Sequence, residues 1–179
     1  MRNLRRTALS LVLAVALLGA MAVPAFAQNP TVSITVSARL ISITNTKDVW
    51  AIGVVTVGES KYFSTDNTQN DTWSEIENTG NVAVNIAILG TDFVAGNTTF
   101  NWVLADTAGD QTYSLFANTD GTGTYNIEVK KAAPNTLKAG LAKGGKHTWS
   151  MNFTAPSAFH VDDDGLDKAA SVTLVTSGV

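Results

Sequence analysis

Two histidines, His147 and His160, are the only side chains of the sequence that could act as imidazole acid–base groups. Ser150 lies near His147, but neighbouring side chains on a strand point to opposite faces. The sequence contains neither a Gly-x-Ser-x-Gly elbow nor a His-Glu-x-x-His motif. It also contains no cysteine, which excludes disulfides, thiolate metal sites and thiol catalysis. We therefore expect a protein that is not an enzyme.

Aspartates cluster around Gly165, close to the end of the chain. Carboxylate oxygens on a glycine-containing loop are ligands that Ca²⁺ prefers, although the spacing here departs from the EF-hand template. The alternative is a solvated loop before the last strand, kept soluble by like charges. If calcium binds, the expected ligands are Asp162, Asp164 and Asp167. No other cofactor is predicted.

Four tryptophans could contribute to a sugar-binding platform. Trp50, Trp102 and Trp149 each alternate in phase with aliphatic neighbours, which is the pattern of core residues. Trp73 instead precedes the central pair of predicted strands and is expected to be exposed. Trp73 is therefore the candidate sugar ligand.

The first 27 residues have the pattern of a cleaved signal peptide. An arginine-rich start precedes an uncharged apolar run, 8–20, and Ala25-Phe26-Ala27 supplies a small-x-small cleavage site. The alternative, an uncleaved membrane anchor, would need an apolar run of about 20 residues. We expect the mature chain to begin at Gln28 and to be secreted, with no membrane segment in its mature form.

The net charge of the mature chain disfavours some classes of binding partner. The leader removes three of the 12 basic residues and none of the 15 acidic residues. The mature chain is therefore more acidic than the whole, which has a formal net charge of −3. Such a balance disfavours binding to nucleic acid and to anionic membrane surfaces.

Apolar residues alternate with a period of two through most of the mature sequence, which predicts an all-β protein. The clearest case is 73–90, in which Asn78-Thr-Gly-Asn81 separates two such runs and predicts a hairpin turn. After that turn, Val82, Val84, Ile86 and Ile88 share one strand face. Roughly nine or ten short strands indicate an antiparallel β-sandwich; a closed barrel is the alternative.

The sequence also predicts the local structure of two further segments. The run Trp50–Val57 alternates with one change of phase and predicts a strand that ends at Gly58. The segment Ala132–Gly145, with Pro134 and several glycines, predicts a short helical turn or an irregular crossover.

The N-terminal strand follows the cleavage site directly, and it could pair with another subunit. It alternates over about eight residues, which extend some 26 Å, and Val32, Ile34 and Val36 share one face. Unpaired sheet edges are templates for strands of other chains. The alternative is that it is the first strand of its own sheet. The candidate self-assembly strand consists of Thr31, Val32, Ser33, Ile34, Thr35, Val36, Ser37 and Ala38.

Several motifs resemble those of bacterial and archaeal Ig-like extracellular domains: the turn that begins at Glu77, Leu137–Lys146 leading into Trp149–Pro156, and the final Ala170–Thr176. With a leader followed directly by a strand, the chain resembles the TasA/camelysin biofilm-matrix proteins and archaeal bundling pili. The resemblance implies a jelly-roll-like sandwich that polymerises by donating its N-terminal strand, with Val32, Ile34 and Val36 filling the neighbour's groove.

Together these observations predict a signal peptide, 1–27, a donor segment, 28–40, and a β-sandwich domain, 41–179. The expected function is structural: a secreted subunit that builds a cell-surface filament or matrix from copies of itself, with or without other surface components. The alternative is a monomeric carbohydrate-binding or adhesive module.

Overall fold

Period-two patterning of Val, Ile, Thr and aromatic residues favours strands in most of the chain that the structure describes. This structure is a computed structural model, and it describes residues 35–64, 74–95, 100–119, 123–161 and 167–179. The chain divides into two units between Ser37 and Ala38. Only residues 35–37 of the first unit are described.

Within the described residues the secondary structure consists of twelve strands and no α-helix, so the all-β prediction is confirmed there. The strands are β1 (Ile43–Asn45), β2 (Ser60–Tyr62), β3 (Ser74–Asn78), β4 (Val84–Gly90), β5 (Val94–Ala95), β6 (Val103–Leu104), β7 (Thr112–Asn118), β8 (Ile127–Glu128), β9 (Asn135–Leu141), β10 (Lys146–Thr154), β11 (Lys168–Ala169) and β12 (Val172–Gly178).

The described strands form three sheets. The largest has the order β1-β3-β10-β7-β6, with β2 also paired to β10 and β8 to β7. A three-stranded sheet has the order β12-β4-β9, and β11 pairs with β5. All these pairings are antiparallel except β6 with β7, which is parallel.

One hydrophobic core contains side chains from both larger sheets. The strand β4 contributes Val84, Ile86 and Ile88, each with 0% exposure, so the predicted strand face is confirmed for these three residues. The strand β10 contributes Trp149 and Phe153 from the other sheet. Burial of a Val or Ile side chain stabilises the fold by roughly 1.5–3 kcal/mol. The side chains of β4 therefore anchor the three-stranded sheet to this core.

The predicted hairpin at 78–81 is wrong in one respect. The strands β3 and β4 form on either side of it as expected, but they belong to different sheets. β3 pairs with β1 and β10, whereas β4 pairs with β12 and β9. The turn therefore carries the chain from one sheet to the other.

The strand predicted at Trp50–Val57 is also wrong, since no described strand lies between Asn45 and Ser60. The predicted alternation is correct only in part: Trp50, Ile52 and Val55 pack against the core. Val54 and Val57, which the pattern placed in phase with them, are exposed. Gly53 has a φ of 76°, in the left-handed region. That angle breaks the regular extended path at the point where the apolar phase changes.

The crossover predicted at 132–145 is a strand instead, β9, which pairs irregularly with β4. The pairing shifts register between Val84↔Leu141 and Ile86↔Lys138. Gly140, which has a φ of 60°, lies within this shift. Glycine therefore produces a bulge here and does not end the strand.

Candidate functional site

The candidate site lies at residues 38–42, at the start of the second unit, where Asn81 holds the chain. The side chain of Asn81 donates from Nδ2 to the carbonyl oxygen of Ala38 at 2.8 Å. Its Oδ1 accepts from the backbone N–H of Leu40 at 2.7 Å. The backbone N–H of Asn81 also donates to the carbonyl oxygen of Leu40 at 3.0 Å. One residue thus bonds to the extended chain as a neighbouring strand would.

The turn that carries Asn81 makes further bonds to the same stretch of chain. The backbone N–H groups of Thr79 and Gly80 both donate to the carbonyl oxygen of Ser42, at 3.0 and 3.1 Å. The hydroxyl of Thr79 donates to that of Ser42 at 3.0 Å. The path of residues 38–42 is therefore fixed by the turn before β1 begins at Ile43.

Gly80 is required in this turn because two backbones approach closely. A Cβ atom at position 80 would lie 2.3 Å from the carbonyl oxygen of Leu40. The φ angle of Gly80 is not in the left-handed region, and none of Asn78, Thr79 and Asn81 has a positive φ. Asn and Gly are common in hairpin turns because they tolerate positive φ, but this turn does not use that property. The side chains of Asn78 and Asn81 instead stabilise the turn and its contacts by hydrogen bonds.

Asn78 connects the turn to the body of the domain. Its side chain has 0% exposure. Nδ2 donates to the carbonyl oxygens of Val82 and Leu141, at 2.8 and 2.9 Å. Oδ1 accepts from the N–H of Gly80 at 3.0 Å. Because all three bonds are satisfied inside the protein, this amide is a fixed support for the turn.

The candidate self-assembly strand is described only in part. Thr31, Val32, Ser33 and Ile34 lie outside the described residues. Thr35, Val36, Ser37 and Ala38 are exposed and belong to no strand, and the side chain of Val36 is 86% exposed. The described part is thus an exposed stretch that ends at Ala38, which Asn81 holds.

Open backbone edges are the second component of the site. Within the described residues, β12 pairs only with β4, along Val172–Gly178. The segment Val49–Val55 has no hydrogen bond to any described residue, while Val49 and Val54 are 73% and 92% exposed. Exposed extended backbone of this kind is a template for pairing with another chain.

The predicted calcium ligands are only partly covered by the structure. Asp162 and Asp164 lie outside the described residues, and Asp167 is exposed. The described residues contain no group of three His, Cys, Asp or Glu side chains that could hold a metal ion. The calcium site therefore stays a prediction from the sequence.

Trp73, the predicted sugar ligand, lies outside the described residues. Trp149 is buried and Trp50 and Trp102 pack partly buried against the core, which confirms the prediction for these three. The indole of Trp102 stacks on Phe159, with ring centroids 5.0 Å apart at 12°. The ammonium of Lys168 lies 5.4 Å from the centre of the same indole. Phe159 and Lys168 therefore both contact the Trp102 ring within the protein.

The two histidines do not come together with a nucleophile in the described structure. His147 lies on β10 and is half-buried; its Nε2 has no hydrogen-bond partner among the described residues. Burial, reinforced by the charge of Lys138, lowers the pKa of His147. His160 is exposed and stacks on Phe100. The hydroxyl of Ser150 donates to the carbonyl oxygen of Phe63 at 2.7 Å.

The sequence pointed to the turn at 78–81 but not to the roles of its residues. Asn78 and Asn81 bond to partners 63 and 43 positions away, Leu141 and Ala38. The turn-forming pattern of Asn and Gly could reveal the turn. It carried no signal for which distant backbone each amide contacts.

No helix in the described residues has the length and apolar character needed to cross a lipid bilayer. Comparison of the chain with protein-family models gives no match, and comparison with curated proteins gives none either.

Proposed function

We propose that this protein is a secreted, non-enzymatic structural subunit, which assembles into an extracellular filament or matrix from copies of itself. In this proposal the domain is a β-sandwich of jelly-roll or Ig-like type. The TasA/camelysin proteins and archaeal bundling pili are its proposed relatives, on the resemblance of the sequence motifs. The N-terminal segment Thr31–Ala38 of one copy pairs with an open edge of the next.

One observation carries the proposal: the described part of the N-terminal segment is exposed, belongs to no strand and is held at its root. Val36 is 86% exposed, whereas Ala38 and Leu40 are bonded to Asn81. An alternating segment whose described part is exposed and unpaired with a strand suits pairing with another copy, because extended segments add to open sheet edges.

The energetics favour a durable joint between subunits. Val32, Ile34 and Val36 lie on one face of the predicted strand, and burial of each would contribute roughly 1.5–3 kcal/mol. Backbone hydrogen bonds along the strand would add to this. Because the donor and the acceptor are different surfaces of the same protein, the contact is head-to-tail and does not close. Repetition of such a contact produces a fibre.

The test compares the mature protein with a shortened chain that begins at Leu40. Electron microscopy and light scattering after size-exclusion chromatography should show polymers of the mature protein and monomers of the shortened chain. Circular dichroism should show the same β-sheet spectrum for both. If the shortened, folded chain still forms filaments, assembly through the N-terminal segment is refuted.

Export is tested separately. The protein should be recovered outside the cells that make it, and N-terminal sequencing should give Gln28 as the first residue. Retention of Met1 in cell-associated material would contradict the secreted assignment.

A further inference from the structure

The segment Val49–Val55, here called the open segment, combines a buried face with a backbone that has no hydrogen-bond partner among the described residues. Trp50, Ile52 and Val55 contact the hydrophobic core, and the Trp50 and Phe63 rings have centroids 5.3 Å apart. Val54 points outwards, with 92% exposure. The open segment is therefore attached to the protein by side chains on one face only.

Its backbone lacks the bonds that normally accompany such packing. None of the described residues donates to or accepts from the backbone between Val49 and Val55. Backbone hydrogen bonds are present on either side of the open segment. The N–H of Thr46 donates to the carbonyl oxygen of Glu75 at 2.9 Å, and the N–H of Gly58 donates to the carbonyl oxygen of Pro156 at 2.8 Å. The open segment is thus anchored at both ends, and no described residue uses its backbone donors and acceptors.

The flanking pairings show where a strand is lacking. β1, which precedes the open segment, pairs with β3, and β2, which follows it, pairs with β10. β3 and β10 are neighbours in the largest sheet. The open segment therefore connects two strands of that sheet without joining its ladder. A strand from elsewhere could supply the backbone partners it lacks.

Another long edge strand of the described sheets, β12, is a weaker candidate. Its backbone is already bonded to β4 along Val172–Gly178, so only one side remains for a new partner. The outward Val175 is 38% exposed, compared with 73% for Val49 and 92% for Val54. Pairing at the open segment would therefore bury more apolar surface and satisfy more backbone groups.

The N-terminal segment Thr31–Ala38 of a second copy fits the open segment in length and charge. Both stretches are seven to eight residues long and neither contains a charged residue. Charged residues on an edge strand normally prevent such pairing. Both also carry β-branched residues, which favour pairing in a sheet.

Resting on the proposed function, we infer that the open segment Val49–Val55 is the edge that accepts the N-terminal segment of the next copy. Pairing there converts the open segment into a strand and completes the backbone hydrogen bonds between β1 and β2. The assembly joint is then continuous with the largest sheet.

The absence of cysteine from the chain allows a direct test by disulfide trapping. Four donor variants of the mature protein each carry one cysteine: Ile34→Cys, Thr35→Cys, Val36→Cys or Ser37→Cys. Each is mixed with an acceptor variant, Val54→Cys, and oxidised mildly during assembly. Neighbouring strands lie about 4.8 Å apart, which is compatible with a disulfide, so the donor position nearest Val54 should give a strong heterodimer band on a non-reducing gel.

The matched control is Val175→Cys on β12, mixed with the same four donors. We expect at least one donor to link to Val54→Cys at five-fold or greater yield than any links to Val175→Cys. Preferential linkage to Val175→Cys, or equal yields at the two positions, would overturn the inference.

A second experiment places a positive charge at each of the two candidate edges and measures polymer formation. Val54→Lys should prevent polymer formation by the mature protein, whereas Val175→Lys should leave it intact, and thermal unfolding should show both variants folded. Polymers of Val54→Lys with unchanged length would refute the open segment as acceptor while leaving assembly through the N-terminal segment standing. Filaments formed by the chain beginning at Leu40 would instead refute assembly through the N-terminal segment, on which this inference rests.

Discussion

Asn81 and Leu40 are joined by two hydrogen bonds that use both the side chain and the backbone of the asparagine. The N–H of Leu40 donates to Oδ1 of Asn81 at 2.7 Å, and the N–H of Asn81 donates to the carbonyl oxygen of Leu40 at 3.0 Å. With the bond from Nδ2 to Ala38, they fix the point from which the N-terminal segment departs.

We therefore predict that Asn81→Ala loosens the root of the segment with little effect on the core. A surface hydrogen bond contributes about 0.5–1.5 kcal/mol, so amide hydrogen exchange at Leu40 should accelerate by roughly tenfold. Exchange in β10 should remain unchanged. The measurement is exchange followed by NMR on the chain in its monomeric state.

Asn85→Ala is the control for this prediction, since Oδ1 of Asn85 accepts from the N–H of Gly140 at 2.9 Å. It removes a comparable bond elsewhere and should not alter exchange at Leu40. Equal acceleration in both variants would show that the effect is general loosening and has nothing to do with the root.

Gly80→Ala should destabilise the domain by about 1–3 kcal/mol, because the added methyl group forces two backbones apart. The Cβ would lie 2.3 Å from the carbonyl oxygen of Leu40, which cannot move as a flexible side chain can. Chemical denaturation measures the loss. Gly178→Ala is the control: its Cβ would meet Ile41 at 3.4 Å, and its stability should be within about 0.5 kcal/mol of the parent. A tolerated Gly80→Ala would contradict the described turn.

Asn78→Asp should cost about 3 kcal/mol at neutral pH, because it places a buried carboxylate against the carbonyl oxygens of Val82 and Leu141. Burial and those oxygens disfavour the charged form, so the pKa of the new carboxyl in the folded state rises above the usual value of about 3.9. The loss should therefore shrink as the pH falls towards 4. Asn78→Ala, which has no titratable group, should show a deficit independent of pH across the same range.

The pattern of alternation predicted most of the strands, but not their assignment to sheets. Val84, Ile86 and Ile88 could be identified as one buried face, because side-chain direction in a strand depends only on local geometry. The turn between β3 and β4 was assigned to a hairpin, because local sequence does not distinguish a reversal within one sheet from a crossing between two sheets. Asn81 shows the same limit, since its partners lie 43 and 41 positions away.

The open segment shows a different limit of sequence reasoning. Trp50, Ile52 and Val55 belong to the predicted alternation and contact the core, whereas Val54, predicted in phase with Trp50 and Ile52, is exposed. Alternation reports burial of side chains, whereas a strand also requires a backbone partner. The sequence of one copy cannot indicate whether that partner belongs to the same copy.

Stability should fall as the pH drops below about 6.5, and His147 should account for part of the loss. Burial, with the charge of Lys138 as a second cause, lowers the pKa of His147 from its ordinary value of 6.5. Below that value the unfolded chain binds more protons at this site than the folded chain, so protonation favours unfolding. The lost stability is complete once the pH falls below the lowered pKa.

The measurement is denaturation by urea between pH 8 and pH 5. His147→Gln should reduce the acid-induced loss of stability, and Lys138→Gln should reduce it by a smaller amount. An identical pH profile for His147→Gln and the parent would exclude this histidine as a contributor.

The central claim, that each copy donates its N-terminal segment to the next, is tested most directly by a capping titration. A chain that begins at Leu40 can accept a segment but cannot donate one, so each copy that joins a filament end should stop growth there. Increasing fractions of this chain, mixed with the mature protein before assembly, should shorten the filaments progressively in electron micrographs. Filaments of unchanged length, with the shortened chain absent from them or incorporated along them, would contradict the account.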